Sequence, residues 1–474
     1  MKLVAVVKRD CETCQLVAPV LASLQQTHSL TIYSQDDPTF PEATGGARDD
    51  TALEESWRLE IDTVPTLIRI EDDGEVSRAI GWHREDWQTV SGEQNLAPQL
   101  PASRPGCGSR TQDFGMPERL ALRYGGLHLA ARSIEVPEDG DPIEMTYDRG
   151  WSDGLPVVPP TDLRVAMMLS GTTRRSDEVI GLIPPNLVEC TVEKAAINAV
   201  MAGCRPEYFP TVLATIAAAL RPEFSMHGLL CTLWFAGPVA IVNGPVTRRI
   251  GMNSGGNALG QGNRANATIG RALQLLIRNV GGGIPGEIDR SVLGNPGKYT
   301  FCFAEDESDP DWEPLNVSRG SAPGSSSVTL FHGDGVQGIK AWSARTPEEL
   351  SRTLASSLWA VGHVKLAGWS GAILIIGPDN YNIFKAAGWG RKDIEASLHE
   401  NLKAPGRELV RGAQGMAEGI DPERAEEIVD KFNPGYLLVV RAGGPGGGMS
   451  AVVGGWAAHR KINEVQIVTQ EITS

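Results

Sequence analysis

Over its first 95 residues the chain switches hydrophobic period every few residues, and that alternation constrains the fold more than any bulk property. Lys2–Val7 is a β-rich run, after which Leu16, Val17, Val20, Leu21 and Leu24 recur at helical spacing. "LTIYS" reads as a strand, Thr51–Glu60 as a helical segment, "TVPTLIRI" and "DDGEVSRAIGW" as two further strands, and a last helix starts near Arg84. Strand and helix alternating at this pace call for an α/β fold, with helices covering a sheet.

The whole chain has 474 residues, enough for two or three cores. Many of its 54 glycines fall in tight clusters, which favours a loop-rich α/β protein over a helical bundle. A net charge of −15 with no basic run argues against a nucleic-acid surface. "KLVAVV" lacks the longer apolar core of a signal peptide, and no apolar run is long enough for a membrane span. Cys11, Cys14, Cys107, Cys190, Cys204, Cys231 and Cys302 form an odd, scattered set. Such a set fits a reducing cytoplasm better than a disulfide scaffold.

Cys11 and Cys14 follow the first strand, so Cys11 stands at a helix start, where unpaired N–H groups and the helix dipole favour a thiolate. "CETCQLVAPVL" with Pro19, "TVPTL" with Pro65, and "DDGEV…IGW" lie in the order β-CxxC-α-β-α-β-β-α. Residues 1–95 resemble the thioredoxin superfamily in a minimal, glutaredoxin-sized version. The resemblance implies that Cys11 attacks, Cys14 resolves and Pro65 is a cis-proline facing the disulfide. Departures from the family are Asp10 for its tryptophan, Glu12-Thr13 for Gly-Pro, and Ala5 where it often buries an aspartate. Two nearby carboxylates are expected to raise the Cys11 pKa and make the pair more reducing. A zinc clip would need two more ligands, and no second CxxC or HxxxH stands nearby.

Residues 96–150 are Pro/Gly/Ser-rich at first and read as a linker, with a short helix over Arg119–Arg132. Cys107 in it is either an incidental exposed cysteine or a mobile thiol relaying oxidising equivalents. From Trp151 the chain reads as one large α/β domain, 151–474. Val239–Gly251 and Ala372–Gly388 each run strand, Gly-Pro, helix, which suggests a pseudo-repeat with halves 151–325 and 326–474. "WSDGLPVVPPT", "TVEKAAINAVMAGCRPEYFP", "GNRANATIGRAL", "GKYTFCFAEDE" and "GPDNYNIFKAAGWGRKDI" resemble a little-characterised bacterial family grouped near proteins with a UGSC selenocysteine motif. That resemblance implies no activity.

Candidate chemistry in this domain is read from residue types. Cys204, between two helices and beside Arg205, is either a thiolate at a helix start or a buried structural cysteine. His227 precedes Cys231 by four residues, as a dyad or as a core-edge histidine. Asn253, Asn257, Asn263, Arg264 and Asn266 crowd a glycine-rich turn before a helix, where they either hold a carboxylate or phosphate or serve the turn itself. Lys298, on an expected strand that alternates through Tyr299 to Phe303, is either an acid/base or anion ligand or a lone lysine with no such role. "GGGIPG" follows a helix and "GGPGGG" lacks the Walker lysine, so no nucleotide cofactor is expected.

The expectation is therefore a thiol-dependent cytoplasmic enzyme with a redox-active Cys11–Cys14 disulfide and no other cofactor or metal. Its first domain regenerates a site near Cys204, Arg264 and Lys298 that takes a small anionic substrate. The expected partners are that substrate and an external thiol or dithiol reductant, with self-association as a homo-oligomer left open. The alternatives are a redox-neutral lyase, hydrolase or isomerase with a docking thioredoxin-like domain, and a redox-regulated scaffold.

Overall fold

The computed structural model describes residues 2–71, 74–456 and 467–473, so Asp72 and Asp73 of the expected hairpin lie outside the described residues. The chain forms two α/β units, Met1–His128 and Leu129–Ser474.

In the first unit β1 (Lys2–Val7), α1 (Glu12–Thr27), β2 (Leu30–Ser34), β3 (Arg48–Asp49), α2 (Glu54–Arg58), β4 (Thr63–Val64), β5 (Thr66–Glu71), β6 (Gly74–Ile80), β7 (Trp82–His83) and α3 (Arg84–Ser91) succeed one another in order. The sheet runs β3-β2-β1-β5-β6, with β2 parallel and β5 antiparallel to β1. Helix α1 buries Val17, Val20, Leu21 and Leu24 on one face. Each such side chain is worth about 1.5–3 kcal/mol, as an upper bound.

The expected linker is corrected over its first part. Residues 96–128 belong to the first unit and carry β8 (Ser103–Arg104), β9 (Cys107–Gly108) and α4 (Met116–Arg123). Strand β8 pairs with β7, and β9 pairs with β4. The buried Gln35 anchors the chain just past β9, donating to Ser109 Oγ at 2.7 Å and accepting the Arg110 N–H at 3.0 Å. Pro and Gly there make short paired strands, not a free tether. The stretch from Leu129 is tied to the second unit, where the Glu193 carboxylate accepts the N–H groups of Ala130 and Ala131, each at 2.9 Å.

The second unit starts with α5 (Pro142–Asp148), α6 (Asp162–Leu169), the hairpin β10 (Val179–Ile183) and β11 (Val188–Thr191), α7 (Val192–Ala202), α8 (Phe209–Leu220) and α9 (Met226–Cys231). Then come β12 (Gly237–Asn243), α10 (Val246–Arg249), α11 (Arg264–Asn279), β13 (Cys302–Ala304), α12 (Leu315–Ser318) and β14 (Ser327–Lys340). The last elements are α13 (Pro347–Trp359), β15 (Ser370–Ile376), α14 (Pro378–Ala386), α15 (Arg391–Asn401), β16 (Lys403–Pro405), α16 (Gly406–Leu409), β17 (Ile428–Asp430), β18 (Leu437–Arg441), β19 (Met449–Trp456) and β20 (Val468–Glu471).

Its main sheet has the order β13-β12-β14-β19-β15-β18, with β20 on β14. Outward from the antiparallel β14–β19 pair, each half repeats one antiparallel neighbour and then one parallel edge strand. Strands β12 and β15 both end at Gly-Pro before a helix. This is the pseudo-repeat, but the division expected at 325/326 is corrected, because the first half needs β14 as its third strand. Register equates Ser327, opposite Asn243, with Ser450, opposite Ile376.

Candidate active site

The first unit concentrates three sulfurs. Cys11 is the N-cap of α1, and its Sγ accepts the Cys14 N–H at 3.2 Å. The same sulfur lies 3.6 Å from the Val64 carbonyl oxygen, just before a cis Val64–Pro65 peptide. Cys107 stands opposite Val64 in the β4–β9 pair, and its side chain hydrogen-bonds to Cys11. It is neither a linker residue nor an incidental exposed one.

The three thiols titrate very differently. Cys11 is pulled down to about 5, first by the Cys14 side chain, against the cost of burial, then by Cys107 and by the N–H groups of Cys14 and Thr13. Burial and the neighbouring Cys11 push Cys14 far up, and burial raises Cys107. Of the three sulfurs, Cys11 is therefore the one whose thiolate is favoured. The expected upward push from Asp10 and Glu12 is corrected. The Glu12 carboxylate is engaged by Arg104, and the net shift of Cys11 is downward.

The second unit brings only some of its expected site residues together. Arg264 Nε donates to the Gly203 carbonyl at 2.8 Å, so Arg264 and Cys204 are neighbours, as expected. Cys204 is not a thiolate, however. Burial pushes it up to about 12, against hydrogen bonding from Thr268, and Cys302 beside it is pushed up too. The chain after it enters a 3-10 turn at Pro206–Tyr208 capped by Arg205, so Cys204 is not itself the cap of a helix.

The asparagine loop satisfies itself. Asn263 caps α11 by accepting the Asn266 N–H at 3.0 Å, and Asn266 closes on the backbone of Asn253 and Ala258. Asn253 bonds Gly255 and Gly256, and Asn257 bonds Gln261. These amides are spent on the turn, which corrects the anion-site expectation. The glycine-rich turn of the second half likewise wraps its own anion, since Asp379 accepts from the N–H groups of Gly446 and Gly447.

Lys298 is corrected twice. It lies in a 3-10 turn, because the strand there is only Cys302–Ala304, and its ammonium is clamped by Asp289 at 2.7 and 2.8 Å and by Ser291 at 2.7 Å. A Cβ on Gly237, at the start of β12, would meet its side chain, whereas the asparagine loop lies beyond the far end of that seven-residue strand. The Lys298 ammonium is spent on Asp289 and Ser291, and Arg264 on the Gly203 carbonyl. His227 and Cys231 are both exposed on the short helix α9. Among the described residues no group of three or more His, Cys, Asp or Glu side chains could hold a metal.

A cleft of about 510 Å³ opens instead at the carboxyl ends of β12 and β13, lined by Gly244, Arg248, Glu305, Asp306, Glu307 and Asn316 among others. Glu307 Oε1 accepts from Asn243 Nδ2 at 2.7 Å and from the Gly244 N–H at 2.8 Å. Buried Glu305 takes donors from Asn243, Trp312, Leu315 and Arg391, and so is a structural anchor. Asp306 pairs with Arg441 at 2.8 Å. The sequence signal was the acidic run Glu305-Asp306-Glu307 directly after an apolar strand, the place where ligands of α/β sheets gather.

No protein-family model matches the chain, and no curated protein matches it.

Proposed function

We propose that the first unit is a thiol–disulfide oxidoreductase with Cys11 as nucleophile and Cys14 as resolving thiol. The carrying observation is the Cys11 sulfur at a helix N-cap, accepting the Cys14 N–H beside the Val64 carbonyl, with Cys107 on the strand opposite Val64. The element order of the first unit and the cis peptide before Pro65 support the thioredoxin-like reading. The Cys11 thiolate attacks one sulfur of a substrate disulfide, and the first thiol leaves. Cys14 gives up its proton and attacks Cys11, the second substrate thiol leaves, and a Cys11–Cys14 disulfide remains. An external thiol or dithiol reverses the change. Cys11→Ser should abolish reduction of a model disulfide, and Cys14→Ser should hold oxidised Cys11 in a disulfide with a thiol other than Cys14. A Cys11 inert to alkylation in the folded, reduced protein would sink the proposal.

The acidic cleft favours a separate activity in the second unit. Glu305 and Asp306 on its lining are already paired with Arg391 and Arg441, which leaves Glu307, among the described residues, as its carboxylate without an arginine partner, and this suits a cationic or hydroxyl-bearing small molecule better than the anion expected from Arg264. A redox-neutral reaction with Glu307 as acid–base group fits this cleft, and thiol chemistry at Cys204 does not. Amines or polyols should raise the melting temperature of the wild type but not of Glu307→Gln. Stabilisation by carboxylic acids alone would contradict this reading.

A further inference from the structure

The segment from Ser103 to Gly108 lies over the thiol site as a strap. Its Cys107 is directly opposite Val64, whose carbonyl faces the Cys11 sulfur. Directly opposed residues of an antiparallel pair carry their side chains on the same face and close together. The strap is held by Thr13 Oγ1 donating to the Pro105 carbonyl at 2.7 Å, by Lys8 Nζ donating to the Gly108 carbonyl at 2.9 Å, and by the Arg104–Glu12 ion pair. At Gly106 the backbones are so close that a Cβ would come within 2.4 Å of Thr63 Cγ2 and 2.7 Å of the Val64 oxygen. Under this cover Cys11 is only 3% exposed.

An extended peptide that brings a sulfur to Cys11 by pairing with Val64 would need the edge that Cys107 already occupies. We propose that the strap is an internal substrate strand, so that Cys107 closes a disulfide with Cys11 before Cys14 resolves it. This rests on the thiol–disulfide reading above and adds a third member to it.

With glutathione disulfide as oxidant the steps balance. The Cys11 thiolate attacks one glutathione sulfur, the Cys11–glutathione bond forms, and one glutathione thiolate leaves and takes up a proton. Cys107 loses its proton and attacks the Cys11 sulfur, and the second glutathione leaves. Two protein thiols have then lost two electrons, and one glutathione disulfide has become two thiols. Cys14, deprotonated in turn, displaces Cys107, which regains a proton and leaves Cys11–Cys14.

The test oxidises full-length Cys14→Ser with glutathione disulfide, blocks free thiols with iodoacetamide and maps the peptides by mass spectrometry. The expected product is a Cys11–Cys107 disulfide. Glutathione retained on Cys11 with Cys107 alkylated would overturn the strap proposal and leave the redox reading standing. Both thiols alkylated, with no disulfide on Cys11, would overturn both. In wild-type protein, acid-quenched time points should catch Cys11–Cys107 before Cys11–Cys14, and the reverse order counts against the strap even if the variant misfolds. Gly106→Ala should speed alkylation of Cys11 by about tenfold or more, as expected when a short strand is unseated. An unchanged rate would show that the strap does not cover the sulfur.

Discussion

Cys11 and Cys204 are both nearly sealed from solvent, at 3% and 7% exposure, and both stand beside a helix end. The first is pulled down to about 5 and the second pushed up to about 12. Burial opposes the thiolate at both, but it outweighs every other influence only at Cys204. The donors near sulfur differ as well. Cys11 is held down by the side chains of Cys14 and Cys107 and by N–H groups from the first turn of α1. Cys204 has Thr268 and the more distant charge of Arg264, set against full desolvation. A helix end near a cysteine is therefore a weak indicator. The cap geometry has to place N–H groups on the sulfur itself.

The sharpest way to break this comparison is to remove each sulfur in turn. Cys11→Ser should lower the rate of model-disulfide reduction by a factor of about 10³ or more, since the thiolate is the reacting species. Cys204→Ala should leave that rate within about twofold, because no exchange step passes through it. A large loss in the Cys204 variant would return it to the redox chemistry.

Removing donors should move the titration in order of their weight. Cys14→Ala should raise the pH midpoint of Cys11 alkylation more than Cys107→Ala does, because Cys14 is the largest cause and Cys107 a lesser one. The reverse order would make the strap, rather than the CxxC pair, the main support of the thiolate.

Stability carries the same signature. The folded Cys11 lies below its unfolded value, so its contribution is full above pH 9 and is lost as pH falls through about 5. Between those limits reduced wild type should gain on Cys11→Ser by at most about 1.4 kcal/mol per pH unit, in the transition of the first unit. Cys14 and Cys107, shifted upward, subtract only above pH 9. Paired pH series of chemical denaturation would read the difference, and a flat difference would deny the thiolate.

Smaller effects sharpen the boundary. Native proteolysis should spare 96–112 and cut first within 132–141, an exposed stretch without helix or strand between α4 and α5. Arg264→Ala should cost the second unit about 1 kcal/mol for its one bond to Gly203. It should leave the cleft's ligand response unchanged.

Period and turn chemistry made the elements legible. Lys2–Val7 and Leu30–Ser34 have the expected bounds, and the helix expected after the asparagine-rich turn begins at Arg264. The Gly-Pro repeats marked equivalent strand ends, and only register showed that β14 belongs with the first half. The Cys11–Cys14 pair at the start of α1 was legible because the two residues are local in sequence. Cys107 was not, because it reaches the site through a pairing with Val64, 43 residues away in sequence, inside a Pro/Gly stretch with no periodicity. The asparagine loop misled for a related reason. The side chains that suit an anion also suit a tight turn, and only the bonding shows that Asn263 and Asn266 are already used.

The most direct test of the central claim is the alkylation rate of Cys11 as a function of pH. Full-length reduced protein would be pulsed with iodoacetamide and the Cys11 peptide quantified by mass spectrometry. A midpoint near 5 is expected, with Cys14 and Cys204 unlabelled through neutral pH. A Cys11 midpoint near the ordinary thiol value of 9 would contradict the thiolate assignment.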